Sequence, residues 1–435
     1  MTYINHNQLK LSYKGERDWI EQIGGPVCVR DSNGNFHNMF FIPPQMYYID
    51  IPPSGGLLKT HFHKADAKPT GTEGVDFVRE TLGGFCVDLF QNSHPLADAM
   101  ICAVDSKVDN KQFTCQRLAY DSDTNWGSPK AAVHFLTGGS KNECKEVATF
   151  NTTTGELTFA TTFTNVTVGD MILISTKGWA DSSVTTQPAV GTTISRSKAF
   201  RSPWCYMDLA DAKTVCAARG SGFHLLMNHE WWDIAVWCIL NGYVPLGNNG
   251  GSLGPSIPPR DYEVNSVEFL IDPIARQQNN TYNRSLTGTG GPRTGHNLSL
   301  SGIFDLNGNI WEWVDGLFLN NGIIYVSRKP NAVYPTDYIN TGLAIGNGGI
   351  VVSGQNIKSI RKENILLKHG IPHESAVNSS EYNYDCIYYN VTNIRGAIRG
   401  GHWPNATGAG LFALALHDAS SNRGSSIGFR SSLVL

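Results

Sequence analysis

The chain has 435 residues, enough for two ordinary domains or one elaborated one, so a sizeable core is available and small disulfide scaffolds are excluded. Only 16% of residues are charged, against about 25% in an average globular protein, while 41% are hydrophobic and there are 45 Gly and 10 Trp. That balance favours turns and short strands over an all-helical fold, and a formal charge of −3 with no Lys/Arg block leaves no electrostatic footprint for nucleic acid.

The first ten residues, MTYINHNQLK, lack the charged and apolar regions of a secretory signal, so the chain is expected to be made in the cytoplasm. Residues 1 to about 80 carry short apolar stretches, MFFI at 39–42 and MYYI at 46–49, between Pro and Gly pairs. They are expected to form an N-terminal β-rich segment, 1–80. The run GGFCVDLF at 83–90 reads as a buried strand opening a main domain, 81–435. Between about 96 and 200 the chain turns Thr- and Ser-rich, as an insertion would. A hairpin is predicted there over ELTFATTFTNVTVGDMILIS, with its second arm at 166–175.

Two helices follow. Asp208 can cap the first, with Asp211 three residues on, Met207, Val215 and Cys216 as its apolar stripe and Gly220 as its stop. The second starts after Asn228 with Glu230 in its first turn. Its apolar residues Trp231, Ile234, Ala235 and Cys238 share a face that Trp232, Val236 and Ile239 widen, so it should be packed on more than one side. This apolar segment is about half the length of a bilayer span and contains Asp233, so no membrane span is expected. The nine Cys are scattered with no C-x-x-C and read as buried thiols.

In DLNGNIWEWV, a tight turn precedes a strand with Trp311 and Trp313 on one side and Glu312 on the other. The plain reading is a core aromatic strand; alternatively Glu312, Asn307 and Asn309 could offer oxygens to a structural calcium. His61 and His63 would share a strand face able to chelate a transition metal, although a solvated loop is the simpler reading. LGNNGGSLG and TGTGGP lack the Lys-Ser/Thr of a phosphate loop and read as loops. There is no G-x-S-x-G or H-E-x-x-H, and no spacing selects a Ser-His-Asp triad.

The order of these pieces resembles the formylglycine-generating-enzyme type of C-type lectin fold. Gly222, Leu225, Glu230 and Trp231 match its G-x-R-L-P-T-x-x-E-W pattern, with His224, Leu226 and Met227 replacing the Arg, Pro and Thr. GIFDLNGNIWEWVDG matches G-L-x-D-M-x-G-N-V-W-E-W, and RGGHW…IGFR matches the closing R-G-G-x-W…G-F-R. The resemblance covers roughly half the chain and implies an α+β C-type lectin fold, with insertions at about 96–200 and 321–392. The oxidase of that family needs reactive thiols between these last landmarks. No Cys lies between Arg399 and Arg430, so no enzyme is expected.

The segment AIRGGHWPNATGAGLFALALHDASSNRGSSIGFR is similar instead to the variable region of diversity-generating retroelement target proteins, which use the same fold. The variable region is drawn at 395–430. The Tyr/Asp/Asn-rich stretch before it, GIPHESAVNSSEYNYDCIYYN, is similar to an insert of phage-borne members. Carried over, the resemblance assigns ligand binding to His402, Pro404, Asn405, Gly408, Ala415, His417, Asp418, Gly424 and Ser426, and also to Arg423, which with Thr407 matches the pattern less closely. Rewriting both adenines of an Asn codon cannot give Lys, Glu, Gln, Met or Trp, and none of these occupies those positions.

Alternation should turn Phe412, Leu414 and Leu416 toward a core with fixed Trp403 and Phe429, and Ala413, Ala415 and His417 toward solvent. His402, His417 and Arg423 are the expected polar anchors. The implied partner is a protein or glycan on a host or cell surface, bound by a phage- or prophage-encoded protein assembled on a virion or displayed at a surface. Several copies, as a homo-oligomer, would supply avidity. The rivals are a formylglycine-generating-type oxidase and a calcium-dependent lectin or structural virion protein; no Glu-Pro-Asn or Gln-Pro-Asp sugar motif is present.

Overall fold

The computed structural model describes residues 24–120, 126–127, 131–176, 193–250, 259–264, 267–279, 281–346 and 354–434, together with the backbone of Thr2–Asn5. Among these residues strand far outweighs helix, and the strands form four sheets.

The first sheet has the order Thr2–Asn5, Gly25–Arg30, Phe36–Ile42, Phe85–Asp88, Ser431–Val434, Phe223–Leu225. It runs straight through the boundary expected near residue 80. Phe36–Ile42 finds its ladder partner in Phe85–Asp88, and Val27, Met39, Phe41, Cys86, Phe223 and Leu433 close a shared core on one face. On the other face, Phe40 and Ile42 join the largest core. A small sheet, Phe62–Lys64 beside Gln45–Asp50 beside Phe77–Leu82, packs on the Asn228–Asn241 helix, where the rings of Phe62 and Trp232 lie 5.9 Å apart.

The expected 96–200 insertion contains a sheet of its own, from Ala99–Ala103 to Met171–Thr176, over a core in which Phe113, Phe135, Phe159 and Phe163 pack ring to ring. The predicted hairpin is not formed. Glu156–Phe159 pairs with Cys144–Asn151 and Gln112–Thr114, whereas Met171–Thr176 pairs with Ala131–Phe135 and Ala99–Ala103. Phe163 and Val166, both buried, draw the connection into the core, so the second strand starts at Met171 instead of 166.

Both predicted helices are present. Asp208 caps Leu209–Ala217 by accepting from the Asp211 amide at 2.8 Å. The helix Asn228–Asn241 ends at Gly242, whose φ of 69° is the left-handed stop that glycine adopts without strain. Trp231, Trp232, Ile234, Ala235, Val236 and Cys238 are all buried, so this helix is enclosed on more than one side. Among the described residues no helix is long and apolar enough to cross a membrane. All nine Cys are free thiols, eight of them buried and Cys144 partly so.

The main sheet has the order Ile339–Ala344, Ile323–Val326, Trp311–Asn320, Ile394–Gly400, Gly410–Leu416, Cys386–Tyr389, Gln355–Ile360, Pro372–Ala376, and Ile427–Phe429 lies parallel to the start of Trp311–Asn320. The stretch expected as a second insertion, 321–392, therefore supplies strands on both flanks of this sheet. One face carries the core built on the Asn228–Asn241 helix; the other carries a core around Trp204, Trp311, Trp313 and Trp403.

Candidate functional site

The closing third of the main sheet is locked by buried charges. Glu312 points away from Trp311 and Trp313, as its alternation predicts, and receives both Nε and Nη2 of Arg430 at 2.7 Å. Gln91 donates to the same carboxylate at 3.1 Å. The three side chains that could serve calcium thus have their oxygens engaged by donors. Asn309 accepts from Asn248, Ser285 N and Ser285 Oγ, and Asn307 accepts from Asn249. Among the described residues no group of three or more His, Cys, Asp or Glu is gathered as a metal site requires. His61 and His63 also turn to other partners, the Leu58 amide and the Asp50 carboxylate.

At the start of the second helix, Glu230 accepts from the Met227 amide at 2.9 Å and pairs with His224 Nε2 at 3.0 Å. The histidine standing where the resembled pattern has Arg therefore turns its ring nitrogen to this Glu. Burial works against the His224 charge, yet the Glu230 carboxylate and the Gly222 carbonyl outweigh it and raise its pKa.

Strands Ile394–Gly400 and Gly410–Leu416 are antiparallel, with a register shift after Arg399, and the 401–409 loop connects them. Gly400 and Gly401 have φ of 92° and 82°, and a Cβ on Gly401 would lie 2.5 Å from Ala409 Cβ. The loop is pinned by Trp403 N donating to Asn309 O and Ala406 N to Asn249 O. Within it, the His402 amide donates to Asn405 Oδ1 at 2.8 Å and the His402 ring contacts the same oxygen. Burial pushes the His402 pKa down to about 4, so the ring is neutral at pH 7.

The structure sorts the sequence-predicted positions into two groups. His402, Asn405, Gly408, Ala415 and His417 gather around Tyr388. Its ring centroid lies 6.2 Å from that of His417, and strand Cys386–Tyr389 runs parallel to Gly410–Leu416 with Tyr388 opposite Ala415. Pro404 is exposed at the crest of this loop. Asp418, Arg423, Gly424 and Ser426 lie on the 417–426 loop, which rests on the capped end of Leu209–Ala217. Leu209 N donates to Ser420 O, Tyr206 N to Gly424 O and Trp311 N to Ser426 O.

Two expectations require correction. Ala413 and Ala415 do alternate with Phe412 and Leu414, but both faces of this strand are covered, and the two alanines are buried in the tryptophan-lined core instead of facing solvent. Gly408 is buried as well. Arg423 is not a free anchor: its Nη2 lies 2.7 Å from Asp208 Oδ2 and 2.6 Å from Asp211 Oδ2. His417 is exposed, with Nε2 3.1 Å from Asp418.

Sequence reasoning missed Tyr388 and Tyr282, the latter 5.4 Å ring to ring from Trp403. The signal for Tyr388 was the Tyr-rich run before residue 395, but the pairing of its strand with 414–416 is a long-range choice that local pattern does not encode.

No protein-family model matches the chain, and no curated protein does. Among solved structures, PvdO from Pseudomonas aeruginosa is similar at 14% identity and a TM-score of 0.30, over 94% of this chain and 99% of that one. The Major Tropism Determinant P3c variant is similar at 11% identity and a TM-score of 0.24, and the I1 variant at 10% and 0.23, each over 95% of this chain and 83% of that one. At these TM-scores the likeness fixes neither fold nor function.

Proposed function

We propose that this chain is a non-enzymatic binding protein, phage or prophage encoded, that presents a rewritable patch on a C-type lectin scaffold to a protein or glycan on a host or cell surface. The observation that carries this reading is the division within 395–430. Arg399, Trp403, Phe412, Leu414, Leu416, Phe429 and Arg430 are buried, whereas His402, Pro404, Asn405, His417, Asp418, Arg423, Gly424 and Ser426 keep exposed surface. Burial of each large apolar side chain contributes about 1.5–3 kcal/mol whatever the exposed positions carry, so the scaffold tolerates their replacement.

The lectin scaffold is supported by the motif residues, because Glu230, Glu312, Arg399 and Arg430 all make buried interactions at strand or helix ends. A patch this small falls below the ~800 Å² per partner of a standard interface, so one copy binds modestly; several copies displayed together gain about 10²–10⁴ in avidity. Deep sequencing of the encoding population tests the reading. Codon diversity confined to the proposed positions within 402–426, with a near-copy template and a reverse transcriptase nearby, is the expected result. Uniform codons with neither feature overturn it.

A further inference from the structure

Tyr388 lies outside the 395–430 stretch, yet its neighbours come from inside it. Its hydroxyl interacts with Asn405 and Cys386, and its ring packs 5.9 Å from Trp311, which in turn lies 6.3 Å from His402. A Cβ on residue 408 would sit 3.2 Å from the Tyr388 hydroxyl and 3.0 Å from Cys386 Sγ, tight enough that these neighbours must yield. Ala415, opposite Tyr388 in the ladder, has no exposed surface, while the phenol is half-buried and has solvent to move into. A larger side chain at 408 presses on both Cys386 and Tyr388, one at 415 faces the Tyr388 position in the ladder, and of these neighbours the half-exposed ring is the one with solvent beside it.

We propose that Tyr388 is a specificity-determining residue of the binding surface, a fixed phenol whose tilt is set by residues 408 and 415 and which is presented among 402, 405 and 417. The inference rests on the binding reading above. It explains how two buried positions can alter recognition: their rewriting changes the shape of the surface through a ring that is itself never rewritten.

The full chain, randomised at 402, 404, 405, 408, 415 and 417, is displayed and selected against purified lysozyme as a defined probe. In the selected clones Tyr388→Ala should weaken lysozyme binding about tenfold or more, and Tyr388→Phe by a smaller factor. In the parent chain Gly408→Val should lower the melting temperature, and Tyr388→Ala should remove part of that loss, a coupling that independent sites do not show. Folded clones whose binding is unchanged by both Tyr388 substitutions overturn the inference alone. Should Tyr388→Ala unfold the chain, Tyr388→Phe decides: weakened binding supports the inference and unchanged binding overturns it. A selection that yields no binders overturns the binding reading itself and this inference with it.

Discussion

Two nitrogens of the Arg399 guanidinium, Nε and Nη2, donate to the single side-chain oxygen of Asn228 at 2.9 and 2.8 Å, and both residues are fully buried. The remaining hydrogen bonds of the cation go to the carbonyls of His369, Gly370 and Phe412, and none of these acceptors is a carboxylate. Burial lowers the pKa to about 9, so the charge persists at neutral pH. Asn228 is the first residue of the central helix, and Arg399 lies on the strand that leads into the 401–409 loop. One side-chain oxygen thus fastens that strand to the helix.

Removing this acceptor leaves a buried cation under-satisfied. Asn228→Ala should cost about 1.5–3 kcal/mol in chemical denaturation. Asn228→Asp, which supplies a carboxylate, should recover most of that stability. An unchanged denaturation midpoint for Asn228→Ala would show that the contact is not structural.

The two kinds of glycine in the closing segment should respond differently. Gly401→Ala forces a Cβ to 2.5 Å from Ala409 Cβ at a φ of 82° and should destabilise by about 2–4 kcal/mol. At Gly424 the nearest atom to an added Cβ is 3.6 Å away, so Gly424→Ala should stay within about 0.5 kcal/mol. Thermal melts of the two variants separate a close-packed glycine from an open one directly.

Asp208 both caps the Leu209–Ala217 helix and receives Arg423. Its replacement by Ala should therefore cost about 1–2 kcal/mol, mainly through the lost cap. The partly exposed ion pair contributes less, so Arg423→Ser should cost below about 1 kcal/mol. A double-mutant cycle measures the pair alone; a coupling larger than the cap effect would reverse this assignment.

Acid should destabilise the fold above the range in which ordinary exposed carboxylates titrate. Burial lowers the pKa of His37, His94, His134, His229 and His402 to about 4, from the ~6.5 of an unfolded histidine. The unfolded chain binds these protons first, so the contribution is complete above pH ~6.5 and is lost as pH falls toward about 4. Asp233 and Asp305, raised to about 7 by burial, act oppositely and weaken the fold as pH rises from ~3.8 to about 7, as does His224 as pH rises through its raised pKa. Asp385, Asp211 and Glu263 are raised by burial too, but His61, His296, His369 and His373 are also lowered, so nine lowered histidines outnumber five raised carboxylates and His224, and the melting temperature should drop between pH 7 and 5. A flat or rising profile over that range would contradict this balance.

Features encoded within a few residues were legible in the sequence. The Asp208 cap, the Glu230 first turn and the opposite facing of Glu312 and Trp311 depend only on spacing, and the structure contains all three. Pairing between distant segments was not legible. The run at 156–175 has the composition of a hairpin, but nothing local reveals that Met171–Thr176 meets Ala131–Phe135 instead. Likewise the 410–416 alternation reads as one buried and one wet face, because the second core beneath Ala413 and Ala415 is assembled from residues as far away as Trp204 and Trp311.

The strand Ser431–Val434 does not lie at the margin of the first sheet but between Phe85–Asp88 and Phe223–Leu225. A chain whose synthesis stops, or whose reading frame slips, anywhere in 402–426 lacks that interior strand: Phe85–Asp88 keeps Phe36–Ile42 on one side only, and Phe223–Leu225 loses its ladder partner. Completion of the first sheet therefore depends on the last strand of the chain described, which only a copy translated in frame through 402–426 contains.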